Sequence, residues 1–265
     1  MPCKDARPYI LGVAFDNVSA DAYDRFMGRY AAPLAPQFAD LAAVHPGQRV
    51  LDVGCGPGAL TGVLVDRVGA EAVAAIDPSP PFVEAVRGRF PAADVRQGVA
   101  EHLPYEDGAF DVSLAQLVVH FMKDPVAGLR EMARVTRPGG VVAACVWDHG
   151  GGRGPLSPFW STVHALQPGV RGEAGGAGAR EGHLGELAME AGLRDVDTGE
   201  LSVRVSYTDF DEWWTPYTAG VGPAGDWVAA LDPTERERVR AACAQRLPQG
   251  SFEIPATAWT VTARV

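Results

Sequence analysis

The chain has 265 residues, of which 47% are hydrophobic, and its formal net charge is −10 at pH 7. This length and composition predict one sizeable hydrophobic core, or a core with a small appendage. The acidic balance excludes a surface built to bind nucleic-acid phosphates. Four scattered cysteines form no CxxC pair, which is typical of a reducing compartment rather than of a disulfide framework.

The first ten residues, MPCKDARPYI, contain no signal-peptide core, and no segment is long enough to span a bilayer. We therefore expect a soluble, cytoplasmic monomer or homodimer with neither a membrane nor a nucleic-acid partner. The six histidines show no HxxxH or HxH spacing, which argues against a metal site.

Residues 16–45 carry two apolar stripes that predict two helices. The stripes consist of Tyr23, Met27 and Tyr30, then of Leu34, Phe38 and Leu41.

Between residues 46 and 147, short apolar runs alternate with helical patterns. The strand-like runs are RVLDVG, AVAAID, DVRQGV, FDVSLAQLVV and VVAACVW. The helical segments are ALTGVLVDRVG, SPPFVEAVRGRF and DPVAGLREMARVTRPGG, the last ending at Gly139 and Gly140. This alternation predicts parallel strands that are joined by right-handed crossovers and covered on both faces.

The C-terminal part begins with a glycine-rich segment, residues 149–182, which we predict to be a mobile loop. A short helix ending at Gly192 follows, and the alternating runs RDVDTGELSVRVSY and TAWTVTARV predict two further strands. Between these strands, aromatic side chains precede a charged helix that begins at Asp232.

These elements predict an α/β fold of the Rossmann-like, doubly wound type. Its mostly parallel seven-stranded sheet, with helices on both faces, occupies residues 46–208 and 249–265. Residues 1–45 would form an N-terminal helical lid. Residues 209–248 would form a helical, aromatic insertion that contributes to a substrate cap.

The stretch VLDVGCGPG places Gly54, Gly56 and Gly58 directly after an apolar strand. A glycine-rich turn between a strand and a helix lets a ligand approach the backbone and the free N–H groups of the helix. The letters GCGPGA also satisfy the GxGxxG/A pattern, so a dinucleotide site remains open on this pattern alone.

The same stretch resembles the first motif of the class I S-adenosylmethionine (SAM) methyltransferases, which have an acidic residue two positions before the first glycine. AAIDPSPPFVEAVR is similar to the second motif, and GVAEHLPYEDGAFDVSLAQLVVHFMKDP to the third and fourth. REMARVTRPGGVVAACVW is similar to the helix and strand that follow. The resemblance covers residues 16–147. It implies SAM as cofactor, S-adenosylhomocysteine (SAH) as product, and a small-molecule branch of secondary metabolism.

The resemblance implies a role for each acidic or polar residue at the strand ends. Asp77 would accept hydrogen bonds from both ribose hydroxyls, and Asp52 would lie near the methionine end, as would Gln116. The turn at Ala100 and Glu101 would contact the adenine. The full predicted cofactor set is Tyr23, Arg29, Asp52, Gly54, Cys55, Gly56, Gly58, Asp77, Pro78, Ser79, Ala100, Glu101 and Gln116.

Three of these assignments have particular reasons or reservations. Val99 stands where relatives often have aspartate, so the adenine contact would depend on a backbone carbonyl or on Glu101. Arg29 could pair with the SAM carboxylate, because a guanidinium matches that geometry. Cys55 is interpreted as a small filler and not as a nucleophile.

Methyl transfer from a sulfonium is an in-line displacement that mainly requires alignment of the acceptor. A hydroxyl acceptor benefits from a base, and His120 is the first candidate, with His149 the second. The loop after Trp147 and residues 209–227 would wall the acceptor pocket, and the five aromatic residues in that range favour an apolar or aromatic acceptor.

Two alternatives remain open at this point. A NAD(P) oxidoreductase is less well supported, since the chain has no Tyr-x-x-x-Lys pair. A SAM-binding protein of the same fold could instead catalyse a reaction without methyl transfer, such as a cyclisation. Release of SAH during turnover would distinguish it.

Overall fold

The computed structural model describes residues 18–265, and Cys3 with the first part of the predicted lid lies outside that range. It contains a seven-stranded sheet in the order β3-β2-β1-β4-β5-β7-β6. The first five strands are parallel, whereas β7 runs antiparallel to both β5 and β6. The predicted Rossmann-like, mostly parallel sheet is confirmed. The strands are β1 (Val50–Val53), β2 (Val73–Asp77), β3 (Asp94–Gln97), β4 (Phe110–Gln116), β5 (Thr136–Trp147), β6 (Arg194–Tyr207) and β7 (Phe252–Arg264).

Helices cover the sheet, and several begin at an aspartate cap. Asp124 accepts from the Ala127 N–H at 2.9 Å, and Asp232 accepts from the Glu235 N–H at 2.8 Å. None of the helices described is long and apolar enough to cross a membrane. The helices are α1 (Ala20–Tyr23), α2 (Arg29–Leu41), α3 (Ala59–Val68), α4 (Pro80–Arg89), α5 (Pro125–Val135), α6 (Ser157–Leu166), α7 (His183–Glu190), α8 (Phe210–Trp214), α9 (Gly222–Ala229) and α10 (Pro233–Arg246).

The alternation of side chains along each strand divides the core between the two faces of the sheet. Val112 and Leu114 of β4 pack in one hydrophobic cluster with α2 and α3. Ala115, one position further on, belongs to a second cluster with Leu129 of α5 and Leu184 of α7. The carboxyl ends of the parallel strands therefore remain free to carry a site.

The N-terminal segment forms one continuous helical run and not the two helices that the sequence predicted. A π-helical turn, Asp24–Gly28, joins α1 directly to α2. Pro33 and Pro36 lie inside α2 without ending it. Leu34 and Phe38 of α2 are fully buried, so tertiary packing overrides the lost backbone hydrogen bonds.

Two other boundaries differ from the sequence prediction. Helix α5 ends at Val135, and Gly139 and Gly140 lie within β5 because Thr136 already pairs with Phe110. A Cβ at Gly140 would lie 2.5 Å from Cγ2 of Thr136, so this irregular stretch of strand requires glycine.

The predicted mobile loop, residues 149–182, contains the ten-residue helix α6. Pro158 occupies its first turn, where proline is tolerated, and Phe159 and Val163 are fully buried. The many glycines of residues 149–182 led to the prediction of a loop, although residues 157–166 carry the apolar face of a helix.

Candidate active site

The glycine loop, which we define as residues 54–58, is fixed to β2 on one side and open on the other. The N–H groups of Gly54 and Cys55 donate to the Ile76 carbonyl at 2.7 and 3.1 Å. Gly54 has φ +71°, and a Cβ there would lie 2.5 Å from Val118. Gly56 has φ +53°, and a Cβ there would meet nothing within 4 Å. Gly56 therefore presents only backbone atoms to the open space beside the loop.

Asp77, at the end of β2, closes one side of this loop. Its Oδ2 accepts from the Gly56 N–H at 2.9 Å, and its Oδ1 accepts from the Ser79 N–H at 2.8 Å. Burial raises the pKa of Asp77 to about 6, although the two N–H bonds oppose the shift. Each carboxylate oxygen keeps a further lone pair, so the group can accept more hydrogen bonds.

Tyr23 of α1 lies beside Asp77 and packs edge-on against Phe82, with ring centroids 5.4 Å apart. Burial, and then the charge of Asp77, raises the pKa of the Tyr23 phenol. The N-terminal helical run therefore borders the same space as the end of β2.

Asp52 and Gln116 lie on the same face of the sheet, because Asp52 is opposite Leu114 and Gln116 is two residues further along β4. Oδ2 of Asp52 accepts from the Thr61 hydroxyl at 2.6 Å, and Nε2 of Gln116 donates to the Ala31 carbonyl at 3.1 Å. Oδ1 of Asp52 and Oε1 of Gln116 are buried and have no hydrogen-bond partner in the part of the chain described. Two buried acceptors thus lack donors next to the glycine loop.

The ionisation of Asp52 depends on this burial. Removal from water raises its pKa to about 7, the Thr61 hydroxyl opposes the shift, and the charge of Asp77 adds to it. A cation at this position would restore the ionised form. The pair of unpartnered acceptors therefore matches a donor-only group such as an ammonium.

The other predicted cofactor residues have structural contacts near the loop. Oε1 of Glu101 accepts from the N–H groups of Lys123 and Asp124 at 2.7 and 3.2 Å, which fixes the turn after β3 to the start of α5. Ala100 in the same turn is buried. Cys55 is buried, and burial raises the pKa of its thiol well above the usual value, which is typical of an inert thiol.

Two more predicted cofactor residues are Pro78, next to Asp77, and Gly58, at the start of α3. The Pro78 carbonyl accepts from Nε2 of Gln97 at 3.1 Å. Gly58 is the N-terminal cap residue of α3, with φ +97°.

The structure places Arg29 away from this group. Its guanidinium donates to the Ser206 carbonyl at 2.8 Å, lies 2.8 Å from Oε1 of Glu212 and stacks over the Tyr207 ring at 4.3 Å. Strand β6 is four positions from β1, or about 19 Å at the usual strand spacing. The structure thus brings Arg29 to the far edge of the sheet and not to the glycine loop.

His120 follows β4 in a short helical turn, Val119–Phe121, and is buried. Burial, and then the nearby His149, lowers its pKa well below the usual value. A cavity of about 30 Å³ lies beside it and has room for one or two water molecules. The residues around this His120 cavity are Tyr23, Phe26, Met27, Leu117, His120, Phe121, Trp147, His149, Leu156, Glu173, Val221, Gly222 and Pro223.

Sequence reasoning missed two features of this cavity. Leu117 has φ +64°, an unusual left-handed conformation for leucine, which reverses the chain directly after Gln116. His120, His149 and Glu173 each offer a potential ligand atom, and these atoms lie within 4.8 Å of one another. The spacing argument against a histidine site overlooked this group, because three separate segments supply it.

The aromatic residues of the insertion do not line the His120 cavity. Tyr217 instead packs within 5 Å, between ring centroids, of Phe26, Phe159 and Trp213. The five aromatic side chains of residues 209–227 are therefore absent from the lining of this cavity, although Val221, Gly222 and Pro223 of the same segment contribute to it. The loop after Trp147 does line it, through His149 and Leu156.

Comparison with known proteins identifies the same region. The family model described as a methyltransferase domain matches residues 51–144, which contain the glycine loop, Asp77, Gln116 and His120. A malonyl-[acyl-carrier protein] O-methyltransferase from Serratia marcescens is 36% identical over 129 residues, which are 46% of this chain and 50% of the relative. The match thus spans about half the length of that relative.

A second relative matches over most of both chains. The malonyl-[acyl-carrier protein] O-methyltransferase of Halorhodospira halophila is 31% identical over 259 residues, which cover 92% of this chain and 82% of that one. The alternative of a NAD(P) oxidoreductase is not supported by these matches.

Solved structures show the same fold at low sequence identity. A candidate methyltransferase from Bacillus halodurans has a TM-score of 0.57 and 15% identity, over 87% of this chain and 97% of that one. The [4+2]-cyclase SpnF has a TM-score of 0.55 and 21% identity, over 88% and 80% of the two chains. The Halorhodospira halophila relative, the methyltransferase-domain match and the fold agree with one another. They show that the chain belongs to the family of class I SAM-dependent methyltransferases.

Proposed function

We propose that this protein transfers the methyl group of SAM to an oxygen atom of a small acceptor with an apolar body. The observation that carries the proposal is the pair of buried, unpartnered acceptors, Oδ1 of Asp52 and Oε1 of Gln116, beside a bare glycine loop. The names of the two relatives, both O-methyltransferases, support oxygen as the accepting atom.

The residues present fit SAM at its ammonium, its ribose and its adenine. Asp52 and Gln116 would accept from the ammonium of its methionine moiety, and Asp77 would accept from the ribose hydroxyls. The open face of Gly56 would allow the backbone to approach closely. Ala100, in the turn fixed by Glu101, would meet the adenine.

When bound, SAM supplies a methyl carbon that a lone pair of the acceptor attacks, while the carbon–sulfur bond breaks and its electron pair stays on sulfur. The contribution of the chain is to align the acceptor and to exclude water. Phe26, Leu117 and Trp147 provide apolar walls beside the strand ends. The acceptor proton would leave toward the group formed by His120, His149 and Glu173.

The mainly apolar lining of the His120 cavity suits an acceptor with an apolar body. Two residues of its lining, His149 and Glu173, also border an open cavity of about 730 Å³ that an acceptor can enter from solvent. The relatives are named for malonyl-[acyl-carrier protein], so a carrier-bound malonyl group is the substrate against which a free acceptor must be compared.

The test is an incubation of the full chain with methyl-labelled SAM and a panel of free aromatic alcohols and carboxylic acids, with malonyl-[acyl-carrier protein] as a separate arm. We expect SAH release and label in at least one free acceptor, with loss of both in Asp77→Ala. Label in the carrier protein alone would overturn the free-acceptor assignment. Consumption of an acceptor without SAH would support a reaction such as cyclisation and overturn methyl transfer.

A further inference from the structure

Three segments distant in sequence bring two imidazoles and a carboxylate together beside the His120 cavity. His120 lies after β4, His149 lies two residues after β5, and Glu173 lies in the loop after α6. One ligand atom from each falls within 4.8 Å of the others. The ring centroids of the two histidines are 5.6 Å apart.

Both histidines have an unpartnered nitrogen. Nδ1 of His120 and Nε2 of His149 are buried, and neither has a hydrogen-bond partner among residues 18–265. A buried polar atom without a partner is costly, so each of these nitrogens has capacity for a further ligand. Burial lowers the pKa of both imidazoles, which favours the neutral form that binds metal ions.

Glu173 is held in place by a neighbouring indole. Nε1 of Trp160 donates to its Oε2 at 2.8 Å. A hydrogen bond of this kind orients a carboxylate ligand without using all of its lone pairs. The carboxylate therefore has capacity for a second partner on the side of the histidines.

We propose that His120, His149 and Glu173 form a binding site for one divalent cation of the zinc class. Two imidazole nitrogens and one carboxylate oxygen are ligands that zinc and its transition-metal neighbours prefer over magnesium or calcium. Tetrahedral coordination would place the ligand atoms about 3.3 Å apart. In the structure they lie within 4.8 Å of one another, so small side-chain rotations would have to bring them together. Three protein ligands leave a fourth position for another oxygen.

The part that this cation would take in methyl transfer rests on the proposed function. Its binding to the three side chains does not. An acceptor oxygen at the fourth position would have its pKa lowered, so that its proton leaves before methyl transfer. His120 would then act as a ligand and not as the general base that the sequence predicted.

The experiment measures cation binding to the full chain without acceptor. EDTA-treated protein, freed of chelator, is titrated with zinc chloride by calorimetry, in competition with a chelator of known affinity. We expect one zinc ion per chain and no detectable binding of magnesium at the same concentration. A separate SAH titration of the same sample tests the cofactor site independently.

Two variants test two of the three proposed ligands, and a third variant is the control. Glu173→Gln keeps an oxygen that can accept from Trp160 and removes the charge, and His149→Gln removes an imidazole. We expect each to weaken zinc binding at least tenfold. His102→Gln, which replaces an exposed histidine, should leave zinc affinity within twofold.

Two outcomes would overturn the proposal. One is the absence of stoichiometric zinc binding to the wild-type chain that still binds SAH. The other is zinc binding of equal affinity in the wild type, in Glu173→Gln and in His149→Gln. Unfolding temperatures in EDTA identify a variant that fails to fold, and the remaining variant then decides the question.

Discussion

The backbone N–H of Gly56 donates to Oδ2 of Asp77 at 2.9 Å, which joins the open part of the glycine loop to the end of β2. One carboxylate thus both shapes the loop and faces the space beside it. Loss of this group should affect the ligand site at both points.

We expect Asp77→Ala to weaken SAH binding by more than tenfold, because an ionised acceptor for the sugar hydroxyls is lost and the loop loses its tie. Calorimetric titration checks this. Asp66→Ala, at an exposed position on α3, is the matched control and should bind as the wild type does. An unchanged affinity in Asp77→Ala would remove the residue from the site.

Two neighbouring glycines should respond differently to alanine. In Gly54→Ala the new Cβ meets Val118 at 2.5 Å in a left-handed conformation, so we expect a loss of about 2–4 kcal/mol in the free energy of unfolding. In Gly56→Ala the Cβ meets no protein atom within 4 Å, so only the backbone penalty of about 1–2 kcal/mol applies. Denaturant unfolding measures both values.

SAH titration of the same two variants separates fold from binding. Gly56→Ala should stay folded and still bind SAH at least tenfold more weakly, because its methyl group occupies the open side of the loop. Equal losses of unfolding free energy in the two variants would show that Val118 does not make Gly54 the more restricted position.

Ligand binding should depend on pH through Asp52. Its pKa of about 7 means that the free protein carries a neutral Asp52 at lower pH, and an ammonium ligand favours the ionised form. SAH affinity should therefore rise between about pH 6 and pH 8, with proton release on binding. Calorimetry in buffers of different ionisation enthalpy counts the protons.

Asp52→Asn is the control for this titration. It keeps an acceptor for Thr61 but cannot ionise, so the pH dependence in this range should flatten. Asp77, with a pKa of about 6, would leave a smaller dependence at the acidic end. A pH profile identical to that of the wild type would refute the role of Asp52.

Arg29 should contribute to stability and not to cofactor binding. Arg29→Ala loses the Glu212 ion pair, the Ser206 hydrogen bond and the stacking on Tyr207, which together should cost about 1–2 kcal/mol. Arg29→Lys keeps the charge but not the planar fork, and should give an intermediate value. SAH affinity should stay within twofold, and a larger loss would restore Arg29 to the cofactor site.

His120→Ala should lower the rate of methyl transfer by tenfold or more, with SAH affinity within twofold, because the residue lines the cavity proposed for the acceptor. The rate is measured with the acceptor that the labelled-SAM panel identifies. Phe121→Leu, which changes a neighbouring wall residue without removing an imidazole, is the comparison. A fully active His120→Ala would exclude the residue from the reaction.

The strands of the sheet could be predicted because each one is marked by a pattern in its own short stretch of sequence. Val50–Val53 and Val73–Asp77 are short apolar runs bounded by glycine or proline, and each ends in an acidic residue or leads into the glycine loop. The positions of Asp52 and Asp77 at the strand ends follow from the same pattern. Sequence alone therefore located the region that the methyltransferase family model matches.

The parts that could not be predicted depend on contacts between distant segments. Arg29 carries no sequence signal that it faces Glu212, since the intervening chain includes most of the sheet. Glu173 lies in a glycine-rich stretch, and only the packing of α6 brings it near His120 and His149. The stripes suggested a break between Tyr30 and Leu34, but α2 continues through Pro33 at that point, and the π-helical turn at Asp24–Gly28 lies earlier, within the first stripe.

The small volume beside His120 has a kinetic consequence. If the walls contributed by Phe26, Leu156 and Pro223 have to separate before a larger acceptor enters, a unimolecular step precedes association. The observed rate of acceptor binding should then reach a plateau at high acceptor concentration, far below the rate of diffusional encounter. Such a plateau would show that opening of the His120 cavity precedes acceptor binding.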